Sequence, residues 1–284
     1  MTKGGQAEEK DVIVVGAGLA GYKAAQDLAQ LGMEVLLVER RPHMGGALDQ
    51  HDRWFPTDDC SWCKTLPLFA GDSISERCLR RQLDQPGIEL APSTRLERIA
   101  GDAGHFTATL TTAVDVIDPN LCTACDRCAE VCPVQVPDEF EEGIKERKAA
   151  FIRHPLAVPS AYSIDLEACT RCGKCPPECP TGAIDFEREG KEVKRKVNAK
   201  AAVITTGFTG LDPGLLPQYR WGEHPDVYTQ AQFERHVSGF RGLNRRSDGR
   251  PMKRVAILHC IGSRDKDRDY CSTACCMVAV KEAL

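Results

Sequence analysis

Two near-copies of one cysteine run dominate the chemistry open to this chain: Cys122-x2-Cys125-x2-Cys128-x3-Cys132-Pro133 and Cys169-x2-Cys172-x2-Cys175-x3-Cys179-Pro180. In that spacing three thiolates hold one [4Fe-4S] cubane, and the fourth, ahead of the proline, reaches across to the other. One ligand set is then Cys122, Cys125, Cys128 and Cys179, and the other Cys169, Cys172, Cys175 and Cys132. Zinc ribbons favour two separated C-x2-C pairs with no trailing Cys-Pro, which argues against zinc here. A third group, Cys260, Cys271, Cys275 and Cys276, stands where a strand-like stretch turns into a helix-like one. Backbone amides and a helix N-terminus there would stabilise an anionic thiolate-iron centre, so a third [4Fe-4S] cluster is expected. On a regular helix Cys271 and Cys275 share a face and Cys276 is turned away by more than a right angle, so joint ligation requires a turn that is not yet helical. The competing reading makes one of the adjacent cysteines a buried core residue.

A second source of chemistry lies at the start. The run DVIVV is followed by Gly16-x-Gly18-x-x-Gly21, an amphipathic stretch to Leu31, and a second apolar run, Glu34 to Val38, that ends in Glu39. The first glycine allows a tight turn, the second lets backbone approach a pyrophosphate, and the third lets helix and strand pack closely. The phosphates would rest on the helix N-terminus, and Glu39 falls close to the ~20-residue spacing at which a carboxylate meets ribose hydroxyls. Arg40, the pair Gly45-Gly46, and the later strand ending in Thr206-Gly207 complete the candidate cofactor-binding residues. Gly45-Gly46 and that strand resemble the second glycine pair and the returning strand of two-dinucleotide-domain flavoproteins, which implies FAD rather than NAD.

The elements needed to position these groups can be read around them. The expected fold is α/β: a Rossmann-type FAD domain at 10–113, an inserted α+β ferredoxin-like domain at 114–189, a return strand in 190–212, a linker at 213–249, and the start of a second nucleotide-type lobe at 250–284. Strands are expected at 88–90 and 106–111, a hairpin turning near Glu189-Gly190, a short helix within 140–150, a helix at 229–237, and a strand from Arg254 to His259. The glycine fingerprint of a second nucleotide site is missing after that strand, and Cys260 stands in its place. A helix is also read at 73–82, with Cys78 structural.

At 284 residues, 42% apolar and 27% charged, the chain can bury a sizeable core. A net charge of −4 gives no basic field for nucleic acid. The basic stretch Lys191 to Lys200 reads as the solvated side of a strand. No run of about 18 apolar residues suggests a membrane span, and the polar N-terminus reads as no secretory signal. A cytoplasmic location follows, where the 15 cysteines serve as ligands or redox groups rather than disulfides. Cys60 and Cys63 form a C-x2-C pair that reads equally as a dithiol or as half of a cluster site. His43, His51, His154 and His259 show no ligand spacing and read as ordinary.

Over nearly its whole length the chain resembles the flavin and iron-sulfur subunit of heterodisulfide reductase. The resemblance is carried by VVGAGLAG, FPTDDCSWC, CTACDRCAEVCPVQVPDEFEEGI, AVPSAYSIDLEAC and CIGSRDKDRDYCSTACC. It implies an oxidoreductase component in which FAD collects or splits electron pairs, with the ferredoxin-like clusters as one-electron wires and an unusual cluster on the C-terminal cysteines. It also implies partner subunits that reduce the disulfide and donate electrons. The family's extra N-terminal domain and final FAD-completing segment have no counterpart here, so a shortened chain is expected. Alternatives are a quinone-interacting relative, a glutamate-synthase-small-subunit-like NAD(P)H reductase, and a non-catalytic ferredoxin-like adaptor. The terminal donor and acceptor, electron bifurcation, and oligomeric state are not written in these motifs.

Overall fold

The computed structural model describes residues 7–51, 86–154, 157–238 and 243–284. The readings at Cys60, Cys63, Cys78 and 73–82 lie outside the described residues. The β-branched run becomes β1 (Glu8–Val15), and the next apolar run becomes β2 (Val35–Val38), buried at every position. Such continuous apolar character suits a strand covered on both faces. Between them α1 (Leu19–Gln30) packs on β1 and β2 and buries Tyr22 and Ala25 completely.

A six-stranded sheet has the order β3-β2-β1-β10-β5-β4, with β3 at Ile88–Ala91, β4 at Thr94–Asp102, β5 at His105–Ala113 and β10 at Glu192–Ile204. β1, β2 and β3 are parallel. The 13-residue β10 is the joint: Glu192–Ala199 pairs antiparallel with β5, while Val197–Ile204 pairs parallel with β1. Lys194, Lys196 and Lys200 on one face of the strand are exposed while Val197 and Ala199 on the other are buried, so the basic stretch is the solvated side of a strand as read. Ile13, Leu36, Val38, Ala108, Leu110 and Val197 form the core beneath. The strand order reverses about β1, which has β2 on one side and β10 on the other, both parallel to it, and in such sheets the crevice at the carboxyl ends of the strands receives the ligand.

The described residues of 114–189 form little regular structure. They hold two short helices, α2 (Arg127–Glu130) and α3 (Cys175–Glu178), and two small antiparallel pairs: β6 (Gln135–Pro137) with β7 (Glu146–Lys148), and β8 (Ala150–Phe151) with β9 (Ser163–Ile164). Their core is Val116, Ile117, Ala150, Tyr162, Ala183 and Ile184 with cysteines packed among them. Two expectations fail. The helix within 140–150 is instead a turn and a strand, because Asp138 accepts the Phe140 N–H at 2.9 Å and Glu142 and Gly143 take positive φ. The hairpin before β10 has no first strand, because Asp185 accepts the Glu187 N–H at 2.9 Å and caps a single 3₁₀ turn at Phe186–Arg188.

The chain divides into two compact units, 1–48 with 73–137 and 146–207, and 49–72 with 138–145 and 208–284. The second contains α4 (Gln230–Val237), closed at its start by a Thr229–Gln232 capping box, and α5 (Cys275–Ala283). Buried Glu234 of α4 is paired with Lys281 of α5, with His51 Nδ1 at 3.6 Å. The strand expected at 254–259 does not form: nothing among the described residues pairs with it, and Val255, Ile257 and Leu258 are exposed. A strand needs a ladder partner for its amides, and here it has none among them. Among the described residues, no helix is long and apolar enough to cross a membrane.

Candidate functional site

The glycine turn is set by contacts that leave no room for a side chain. A Cβ on Gly21 would lie 1.9 Å from the Gly16 carbonyl oxygen, and one on Gly16, where φ is +104°, 2.3 Å from that of Thr205. The Thr205 hydroxyl lies 2.8 Å from Gly16 O and 3.0 Å from Val15 O and donates across the end of β1. Thr205 thus tightens the turn, whereas the predicted Thr206 and Gly207 lie exposed just beyond it. Sequence reading missed Thr205, although its place one residue before the predicted pair was a signal. Gly18 begins α1 with no side-chain cap, so the first amides of this 12-residue helix are left for an anion. Gly45 bridges to Gly18 and donates its N–H to Ala17 O at 3.0 Å, so the second glycine pair closes over the first.

Glu39 is buried at the end of β2. Its Oε2 accepts the Ala17 N–H at 2.9 Å and its Oε1 the Arg41 N–H at 3.0 Å. Each carboxylate oxygen keeps a further lone pair, so the group still fits ribose hydroxyls. Arg40 is exposed beside it.

The eight central cysteines fall into two clusters of thiols. Cys122, Cys125, Cys128 and Cys179 line one small cavity with Ile117, Arg127 and Tyr162. Cys132, Cys169, Cys172 and Cys175 line another with Ile164 and Phe186. Each cavity therefore takes three cysteines from one run and the pre-proline cysteine from the other. The sulfurs accept backbone amides: Cys122 from Ala124 and Tyr162 at 3.4 Å each, Cys169 from Arg171 at 3.4 Å, and Cys179 from Ala183 at 3.3 Å. Such N–H to sulfur bonds suit thiolates that carry iron. Burial, then the neighbouring Cys122 sulfur, pushes the free Cys128 thiol up to about 12; burial raises Cys175 to about 11. A bound metal ion removes that penalty by deprotonating the thiol outright. At Cys179 burial acts upward, but the Thr181 hydroxyl and the amides of residues 181 to 183 outweigh it and hold the thiol below its ordinary range. Tyr162, missed in the sequence, hydrogen-bonds Asp126 beside the first cavity.

The C-terminal thiols lie where α5 begins. Cys275 opens the helix, Cys271 precedes it on a bend in which Thr273 has φ +58°, and Cys260 sits at φ +59°. Cys271 lies off the helix, whereas Cys275 and Cys276 are its first two residues, so the non-helical turn that joint ligation requires is present at Cys271 only. Desolvation, then the charges of Cys275, Cys260 and Cys271, raise the Cys276 thiol. His259 is not an ordinary histidine here: its Nδ1 lies 3.8 Å from Cys276 Sγ, and a ring nitrogen lies within 4.8 Å of the Cys275 and Cys276 sulfurs. Its neighbour Cys260 was the only signal of this in the sequence.

The FAD dependent oxidoreductase family matches residues 11–108, and the 4Fe-4S dicluster domain family matches residues 121–184. The fold is accordingly a Rossmann-type FAD domain with a 4Fe-4S dicluster domain. An iron-sulfur subunit of the CoB--CoM heterodisulfide reductase of Methanopyrus kandleri is 41% identical over 95% of this chain and 40% of its own length. The corresponding iron-sulfur subunit in Methanocaldococcus jannaschii is 36% identical over 97% of the chain and 41% of its own. The equivalent subunit of the H(2):CoB-CoM heterodisulfide,ferredoxin reductase of Methanothermobacter marburgensis is 35% identical, with coverage of 95% and 40%. The chain spans about 40% of the length of these relatives.

Proposed function

For a chain homologous over nearly its whole length to the iron-sulfur subunit of heterodisulfide reductases, we propose the role of an FAD and iron-sulfur electron-transfer subunit of a heterodisulfide-reductase-like complex. In this oxidoreductase the bound flavin supplies exchange of electrons in pairs, and [4Fe-4S] clusters supply one-electron transfer. The backbone at Gly16, Gly18 and Gly21 holds the pyrophosphate against α1, Glu39 accepts from the ribose, and Gly45-Gly46 covers the cofactor. Arg40, Thr206 and Gly207 border it. Cys122, Cys125, Cys128 and Cys179 hold one cluster, and Cys169, Cys172, Cys175 and Cys132 a second. Cys260, Cys271, Cys275 and Cys276 hold a third. No side chain acts as acid or base in the outer-sphere step; the protein's part is placement and tuning of potentials. Residues 114–189 act as a ferredoxin-like insertion within the flavin domain, and the partners are the disulfide-reducing and electron-donating subunits.

One observation carries the reading: each of two thiol-lined cavities draws three cysteines from one run and one from the other, in the same compact unit as the paired glycine turns. Anaerobic iron-sulfur and FAD reconstitution of the full chain tests it. The expected product has flavin absorbance, iron and sulfide for three cubanes, and electron paramagnetic resonance signals of reduced [4Fe-4S] clusters. A chain that takes zinc in preference to iron, or that loads iron without ever binding flavin, would overturn it.

A further inference from the structure

One peptide group joins the two halves of this site. The carbonyl of Ala161 lies 2.7 Å from His43 Nε2, and the N–H of Tyr162, on the same peptide plane, donates to Cys122 Sγ at 3.4 Å. A carbonyl only accepts, so His43 Nε2 carries the proton. The ring is 2% exposed and meets Phe151 edge-on with centroids 6.2 Å apart. Burial first, and then the nearby Arg153 and His154 charges, hold His43 below the ordinary histidine range and so keep it neutral.

The segment that carries His43 is also the covering glycine turn. Met44 donates its N–H to Val158 O at 2.9 Å, and Arg153 Nη2 donates to Gly46 O at 3.1 Å. On its other side Gly45 donates to Ala17 O at 3.0 Å in the first glycine turn. Arg153 and Val158 thus hold the segment of the Gly45-Gly46 turn, and Tyr162 hydrogen-bonds a cluster cysteine. In the second thiol set the Cys169 sulfur accepts from Arg171, within its own run.

We propose that His43 is a positioning residue that couples the flavin-covering turn to the Cys122, Cys125, Cys128 and Cys179 cluster through the Ala161–Tyr162 peptide group, making this the flavin-side cluster. Donation to the Ala161 carbonyl polarises the peptide and strengthens the Tyr162 N–H as a donor. A stronger N–H to sulfur bond withdraws charge from the cluster and raises its potential. The proposal rests on the cluster assignment above.

The test is a redox titration, followed by electron paramagnetic resonance, of the full reconstituted chain, with the signals assigned by Cys125→Ser and Cys172→Ser. His43→Leu removes the donor. The expected result is a more negative potential for the Cys125-dependent signal, with its reduction equilibrium shifted two- to tenfold, where tenfold is about 59 mV for one electron. The Cys172-dependent signal should stay in place, and His43→Gln, which keeps a donor, should recover much of the shift. His43→Met, nearer in volume, repeats the test if His43→Leu takes up iron poorly. Loss of the Cys125-dependent cluster alone would also support the proposal. Shift or loss of both clusters, or of neither in a fully loaded protein, overturns it. Absence of both signals from the unmutated chain would instead defeat the cluster assignment itself.

Discussion

Gly21→Ala is the sharpest test of the nucleotide turn. The added Cβ would stand 1.9 Å from Gly16 O and 2.5 Å from Thr205 Oγ1, and ordinary contact begins near 3.4 Å. The first of these neighbours is backbone at the tip of β1, so rotation of a side chain cannot relieve it. Either α1 moves away from the turn or the turn opens. Overpacking of this kind costs about 1–3 kcal/mol, and loss of the Thr205 hydroxyl's bond to Gly16 O adds about 1 kcal/mol. The sum, about 2–4 kcal/mol, should lower the melting temperature of the flavin-free protein by about 4–16 °C at 2–4 °C per kcal/mol. Gly18→Ala is the contrast: its Cβ would meet only Gly46 Cα at 3.7 Å, in ordinary contact. That variant should melt within a few degrees of the parent yet retain much less FAD, because the methyl stands where the pyrophosphate must approach. Circular dichroism melts of the flavin-free proteins and flavin absorbance after loading measure both effects. A Gly21→Ala protein that melts with the parent and keeps its flavin would refute the reasoning.

Three further outcomes are expected. Cys179→Ser should abolish the cluster that depends on Cys125, and Cys132→Ser the one that depends on Cys172; paramagnetic resonance showing the reverse assignment would disprove the crossed ligation. Iron removal by a chelator should expose 114–189 to limited proteolysis before the six-stranded sheet, because that stretch has strands of only two or three residues and a core built partly from cysteines. Burial, then the Glu234 carboxylate, raises Glu282 to about 7. The folded state therefore holds this proton more tightly than the unfolded chain, so the contribution to stability is complete below the ordinary carboxylate range and is lost as pH rises through about 7. With allowance for partial solvent access the loss is about 1–2 kcal/mol; denaturant titrations at pH 5 and 8 should show it in the parent and not in Glu282→Gln.

Much of the architecture was legible because it depends on local pattern. The β-branched run, the glycine spacing and Glu39 all report a βαβ unit through short-range sterics, and they fall on β1, α1 and β2. The helix read at 229–237 forms at Gln230–Val237, with Thr229 as its cap. The misread pieces are those where a side chain competes with the backbone or a partner strand must be present: Asp138 and Asp185 capturing local amides, and residues 254–259 without a ladder neighbour among the described residues.

By itself the sequence determined the chemistry, since thiols at the spacing of the two runs suit iron-sulfur cubanes and glycines at 16, 18 and 21 suit a phosphate. Only the tertiary structure decided which distant groups act together. The contacts of Thr205 with Gly16, His259 with Cys276, and His43 with the peptide that reaches Cys122 join residues 17 to 189 positions apart. No periodicity encodes such pairs. They arise because β10 returns beside β1 and because Arg153 and Val158 bond to the segment of the Gly45-Gly46 turn.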